Sequence, residues 1–231
     1  MLNLYWSHDR AIENAYIITV TGNAISEEMS ERCLLSCLAN GVTPVVWPAY
    51  DGTGESIVEP PNMEPSLAMR MLKVTNHYLT KSEVACILSH ISLWMRCIII
   101  DRPIVILEHD ALITKPITTV ESYGAIVYLG GAEWESNKWP IYSIPPHATQ
   151  GPNVHFICRA HAYAIDPQVA KNMVAHVLNM GIYTSADLML RSDLFTIVHQ
   201  GPHAYDQPGE TTIVGRKEVG GTQLYNPDMK Y

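Results

Sequence analysis

The apolar residues of this chain fall into short blocks whose period switches between strand and helix. Residues 15–20 (AYIITV) form a continuous, β-branched run that predicts a buried strand, ended by Thr21, Gly22 and Asn23. Met29, Cys33, Leu34, Cys37 and Leu38 then recur at helical spacing, with Ser26 as the expected N-cap and Glu27 and Glu28 where the helix dipole favours carboxylates. Asn40 and Gly41 supply the stop. Residues 42–47 (VTPVVW) read as a second strand, in which Pro44 means that pairing begins at Val45 or that the strand lies at an edge. A β-α-β unit of this kind predicts two parallel strands.

The pattern continues in the same alphabet. Asp51 and Gly52 begin a turn, and the proline-rich stretch 55–78 predicts a loop with short helical pieces. Thr80 and Glu83 have capping-box spacing and open a helix whose apolar face carries Val84, Ile87, Leu88, Ile91, Leu93 and Trp94. Strands are expected at 104–107 (IVIL), 125–129 (AIVYL), 161–165 (HAYAI) and 195–198, with a long ordered loop after Gly130 and Gly131. Asp166 followed by Pro167 predicts a helix start, and Gly181 its end. Residues 200–231, dominated by glycine, proline and polar residues, read as a C-terminal tail or lid on a single domain spanning 1–231. Strands alternating with helices predict an α/β fold with a mostly parallel, Rossmann-like central sheet.

Composition narrows the classes. Of 231 residues, 47% are hydrophobic and 16% charged, enough apolar content for a sizeable core. A net charge of −8 argues against a protein that coats nucleic acid, whose affinity comes from neutralising phosphates. Five cysteines, an odd count without a CxxC pair, argue against a disulfide framework or a zinc ribbon and for reduced thiols. The opening residues, with Asn3, His8, Asp9 and Arg10, do not resemble a secretory leader. The apolar stretch 98–113 is broken by Asp101, Arg102, Glu108, His109 and Asp110. The expectation is a cytosolic protein without a membrane span.

In an open α/β sheet, ligands bind beyond the C-terminal ends of the strands. Three features fall there: Thr21-Gly22, Asp51-Gly52 and Glu108-His109-Asp110. Two carboxylates at i and i+2 after a hydrophobic strand can approach one cation, and hard cations such as Mn²⁺ or Mg²⁺ prefer oxygen ligands and keep room for substrate phosphates. The same pattern also suits a solvated acidic loop.

The stretch 79–90 (LTKSEVACILSH), continuing to Trp94 and then to 104–110 (IVILEHD), resembles glycosyltransferase family 25, whose pattern is roughly L-T-x-x-E-x-x-C-x-x-S-H, a tryptophan, and a strand ending L-E-D-D. Residues 48–52 (PAYDG), 127–130 (VYLG) and 161–165 resemble further family motifs, and Asp187 falls where the family carries an aspartate. The resemblance implies a GT-A type fold, a nucleotide-sugar donor, a divalent metal and inversion at the anomeric carbon; the expected donor is of UDP type and the expected metal Mn²⁺ or Mg²⁺. It makes Glu108 and Asp110 the metal and diphosphate pair; His199 and His203, which follow the last expected strand, are candidates for a late metal or phosphate contact. It makes Asp187 the general base, or else a helix N-cap. Thr21, Gly22, Asp51, Gly52, Glu83, Ser89 and His90 become donor-site candidates, with His90 equally suited to orienting the acidic loop. The chain departs from the family where His109 replaces the middle acid and where Thr19-Val20-Thr21-Gly22 replaces the usual first-strand motif.

Trp134 and Trp139 offer aromatic faces for stacking. The expected acceptor is a glycan or lipooligosaccharide hydroxyl. A modified base in DNA is the alternative, if Lys115, Arg159, Lys171, Arg191, Arg216 and Lys217 gather into a basic groove. A non-catalytic glycan-binding protein is the other.

Overall fold

The first β-α-β unit forms in the computed structural model as β1 (Ala15–Thr19), α1 (Ala24–Ala39) and β2 (Val45–Pro48). The structure describes residues 14–61, 63, 65–117, 124–131, 141–144, 154–157 and 159–206. β1 and β2 are parallel, with Tyr16 opposite Val45, so pairing begins just after Pro44, and β2 lies at the sheet edge. The cap of α1 differs from expectation. Asn23, not Ser26, caps it, accepting from the Ser26 N–H, while the buried Ser26 hydroxyl accepts from the Val20 N–H and closes the end of β1. Asn precedes Ser at the point where the chain leaves extended backbone, and both side chains suit the role.

Next come α2 (Leu67–Met71), α3 (Lys81–Ile100), β3 (Ile104–Glu108), β4 (Ala111–Ile113) and β5 (Ile126–Gly131). They are followed by the hairpin β6 (Ile141–Ile144) and β7 (Val154–Ile157), then β8 (Ala162–Ile165), α4 (Pro167–Met180), α5 (Ala186–Met189) and β9 (Ile197–Asp206). α3 opens on the expected capping box of Thr80 and Glu83, and α4 on Asp166, whose carboxylate accepts from the Val169 N–H. The hairpin lies where the sequence suggested only a loop. β9 runs through residue 206, so residues 200–206 belong to the sheet and not to a tail; residues 207–231 lie outside the described residues.

The main sheet has the order β2-β1-β3-β8-β5-β9-β4. β1 is parallel to β2 and β3, and β5 is parallel to β9, whereas β8 runs against both neighbours and β4 against β9. The fold is therefore mixed α/β, and the expected majority direction is interrupted in the middle. Both faces of the central strands β1, β3, β5 and β8 are covered, which is why these read as near-continuous apolar runs rather than alternating. Tyr16, Ile18, Ile104, Ile106, Tyr163 and Ile165 pack with α3, α4 and α5. Ala15, Ile17, Val105, Leu107, Ala162 and Ala164 pack on the other face with Cys33 and Cys37 of α1. By length and composition α3 could cross a membrane, but 67% of its apolar window is buried inside the fold.

One turn holds α3 against the strand ends. A Cβ on Gly52 would lie 2.3 Å from the Lys81 carbonyl oxygen, a backbone atom that cannot swing aside. The Ser82 hydroxyl donates to the Gly52 carbonyl across the same contact at 3.0 Å. Gly52→Ala is expected to cost about 1–3 kcal/mol as an overpacking change, read as a lower urea midpoint at unchanged slope. An unchanged midpoint would show that α3 does not press on this turn.

Candidate functional site

Because β2, β1 and β3 are consecutive and parallel, the three turns that follow them lie side by side. Glu108 is the last residue of β3, paired with Ile18 of β1, and Asp110 precedes β4. His109, between them, is half-buried, and the backbone of Ile18 hydrogen-bonds its ring. Burial holds its pKa below the usual histidine value although Glu108 opposes this.

Glu108 ends a buried polar relay. The Trp94 indole N–H donates to the Tyr163 hydroxyl at 2.9 Å, Tyr163 is 2.8 Å from His90 Nδ1, and His90 Nε2 is 3.0 Å from Glu108 Oε1. The indole can only donate, so the tyrosine proton is free to go to Nδ1, which leaves Nε2–H to donate to the carboxylate. Trp94, Tyr163 and His90 are at most 1% exposed, so the relay fixes the position of Glu108 from below. Burial alone would raise the Glu108 pKa, but the His90 hydrogen bond and the neighbouring histidines outweigh it and keep the group ionised below the usual range. The Cys86 thiol, half-buried one turn before His90, sits 3.9 Å from the same Oε1. Burial and the charges of Glu108, Asp187 and Asp110 push that thiol well up.

Asp110 has the opposite environment. Its Oδ1 is buried and has no hydrogen-bond partner, and burial, reinforced by Glu108, Asp206 and Asp187, raises its pKa well above the carboxylate range. Asp206 lies beside it, because Ala111 pairs with Asp206 across β4 and β9, and the Asp206 Oδ1 is likewise buried without a partner. His161, at the entry to β8, is fully buried, and neither of its ring nitrogens makes a hydrogen bond of good geometry. Burial lowers its pKa, while Asp206 and Glu108 pull the other way. Asp110 and Asp206 thus each bury a carboxylate oxygen without a hydrogen-bond partner, which is uncommon for buried polar atoms.

Asp187 joins this cluster from α5. It does not cap its own helix; its two oxygens accept from the backbone N–H groups of Arg159 (3.2 Å) and Ala160 (3.1 Å). Burial and then Glu108 raise its pKa to about 6 against the pull of those two donors. Arg159 adopts a left-handed backbone (φ 63°), and its guanidinium pairs with the second oxygen of Asp206 at 2.8 Å. Such a conformation costs a non-glycine residue about 1–3 kcal/mol and persists only where the surroundings hold it.

The remaining candidates have definite partners. Thr21 is exposed, and Gly22 turns at φ +82° with its N–H on Glu27. The Asp51 carboxylate is folded back on the Thr53 N–H and hydroxyl, at 2.8 and 2.7 Å. Ser89 donates to the Ala85 carbonyl and accepts from the Tyr50 N–H, tying the second turn to α3, and Glu83 serves the capping box. His199 Nε2 is 3.2 Å from the Gly130 carbonyl oxygen, and its ring leans on Tyr128, whose other edge meets His161. His203 Nδ1 is 3.1 Å from the Pro116 carbonyl oxygen. Of the basic residues considered for a groove, Arg159 is tied to Asp206 and Arg191 to Asp193, while Arg216 and Lys217 lie outside the described residues, as do Trp134, Trp139 and Cys158.

Sequence reasoning did not single out Asp206, His161 or the relay residue Tyr163 for the site, and considered Arg159 only for a basic groove. The alternation of Ala204-Tyr205-Asp206 after Val198 was the available signal for a strand that carries an acid to the site.

Residues 59–142 match the family described as Glycosyltransferase family 25 (LPS biosynthesis protein). The match spans α3, β3, the acidic turn and β5, and it bears out the family resemblance over the part of the chain that holds Cys86, His90, Glu108 and Asp110. No curated protein matches the chain.

Proposed function

From a chain whose residues 59–142 carry the sequence of glycosyltransferase family 25, we propose an inverting, GT-A type transferase that moves a sugar from a UDP-type donor to the hydroxyl of a glycan or lipooligosaccharide acceptor. The observation that carries this reading is the pair of buried, unpartnered oxygens on Asp110 and Asp206 within a group of four carboxylates. Two carboxylate oxygens suit a hard divalent cation, Mn²⁺ or Mg²⁺, which Asp110 and Asp206 would hold with water and the donor's phosphates completing its shell. When bound, such a cation neutralises the charge that grows on the departing diphosphate.

The rest belongs to the chain. The turn at Thr21 and Gly22 and the turn at Asp51 and Gly52 flank the donor's nucleoside. Asp187, with a lone pair left on each oxygen after its two backbone hydrogen bonds, takes the proton from the acceptor hydroxyl as that oxygen attacks the anomeric carbon opposite the diphosphate. The relay from Trp94 keeps Glu108 ionised and fixed while this happens. A glycan acceptor is favoured over DNA because Arg159, beside the acidic cluster, is already paired with Asp206. A cytosolic setting suits the free thiols of Cys33, Cys37, Cys86 and Cys97.

A thermal-shift screen tests the reading. With Mn²⁺ present, a UDP-sugar at about 100 times its Kd should raise Tm by roughly 5–10 °C, and EDTA should abolish the shift. If no nucleotide sugar stabilises the protein with either cation, the reading is wrong.

A further inference from the structure

The relay that supports Glu108 has a second set of ligand atoms built into it. Cys86 Sγ, His90 Nε2 and Glu108 Oε1 all lie within 4.8 Å of one another. Cys86 and His90 are four residues apart on α3, so both project from one face of a rigid helix, and Glu108 meets them from the end of β3. We propose that these three side chains form a site for a soft divalent cation, Zn²⁺ above all, whose occupancy withdraws Glu108 from the hard-cation cluster and arrests turnover.

The chemistry distinguishes the two sites. The Asp110 cluster offers mostly oxygens, which suit Mn²⁺ and Mg²⁺, whereas a thiolate, an imidazole and one carboxylate select zinc. A tetrahedral zinc spaces its ligand atoms by roughly 3.3–3.8 Å, so the 3.0 Å and 3.9 Å contacts to Glu108 need only small adjustments. A second shell is present as well. With zinc on Nε2, Nδ1 must carry the imidazole proton, and the Tyr163 oxygen at 2.8 Å is there to accept it beside the Trp94 donor. The tyrosine's own proton then loses its acceptor, a cost that a tightly bound metal offsets and a loosely bound one does not. Binding expels the thiol proton to solvent. Three protein ligands leave a fourth position for water.

The binding stands apart from the transferase reading; its effect on turnover rests on it. The full chain is titrated with Co²⁺ as a visible substitute for zinc. One equivalent should produce thiolate-to-cobalt charge-transfer absorption and the strong bands of a four-coordinate site, removed by one equivalent of Zn²⁺ and absent from a folded Cys86→Ser variant. Glu108→Gln should weaken Co²⁺ binding at least tenfold. A measurement that needs no variant runs beside it: Zn²⁺ should protect Cys86 from alkylation, read by mass spectrometry. In turnover with excess Mn²⁺, one equivalent of Zn²⁺ should suppress the wild-type rate at least tenfold, and whatever rate Cys86→Ser retains should be insensitive. Charge-transfer absorption that persists in Cys86→Ser, failure of zinc to protect Cys86, or wild-type turnover indifferent to zinc would each overturn the proposal. A protein that shows the cobalt signature yet transfers no sugar from any donor would confirm the site and reject the transferase reading.

Discussion

Asp110→Asn is expected to slow sugar transfer by about a hundredfold or more while making the protein harder to melt. Both effects have one cause. The native carboxylate is buried among Glu108, Asp206 and Asp187 with one oxygen unpaired, so its ionised form is strained in the folded protein. Its raised pKa sets the sign of the stability effect. Below the ordinary carboxylate range, folded and unfolded chains both hold the proton and the group contributes no difference. As pH rises, the unfolded chain ionises first, the folded one resists, and the equilibrium is drawn towards unfolding. The amide of Asn keeps the shape and removes the charge. Its melting advantage over wild type should be absent near pH 3–4 and grow as pH rises. The rate loss follows because the group that suffers at rest is the one that meets positive charge when donor and cation arrive, and losing such a contact costs a few kcal/mol in the transition state. Paired melting curves and steady-state rates decide it, and wild-type turnover in Asp110→Asn would remove Asp110 from the mechanism.

Asp187→Asn should lower kcat by roughly 10²–10⁴, the usual contribution of a positioned base, and, because the amide can accept only one of the two backbone N–H bonds, should also cost about 1–3 kcal/mol of stability. The pH profile carries the sharper information. A base must be ionised to act, so with a pKa of about 6 the wild-type rate should fall as pH drops through that region, one proton deep. A cation settled beside Glu108 would cancel part of the repulsion that raises Asp187 and move this limb lower. The Asn variant should keep its small residual rate without the limb. If instead Asp187→Asn turns over normally, the two backbone hydrogen bonds from Arg159 and Ala160 are all the residue is for.

Local rules made much of this fold legible. Continuous apolar runs marked β1, β3 and β5, the Thr80 and Glu83 box marked the start of α3, Asp166-Pro167 marked α4, and Pro44 marked where the β2 pairing begins. Glu108 and Asp110 were readable because they follow a fully apolar strand. What was not readable depended on partners far along the chain. Nothing local says that β8 runs against β3, since an apolar run has the same pattern in either direction. β4 is three residues long and exists because β9 pairs with it, and β9 includes Gly201 and Pro202 at an irregularity that reads as loop. Asp206 was hidden for that reason. Nor could the sequence show that Ser89 accepts from a backbone N–H nearly forty residues away, at Tyr50.

Arg159 has a consequence for how the molecule can vary. Its backbone N–H grips the carboxylate at 187 while its guanidinium grips the one at 206, so one residue yokes two acids carried by separate elements. Shifting either acid drags on the same left-handed link. Substitutions at the two positions should therefore be non-additive in their effect on stability.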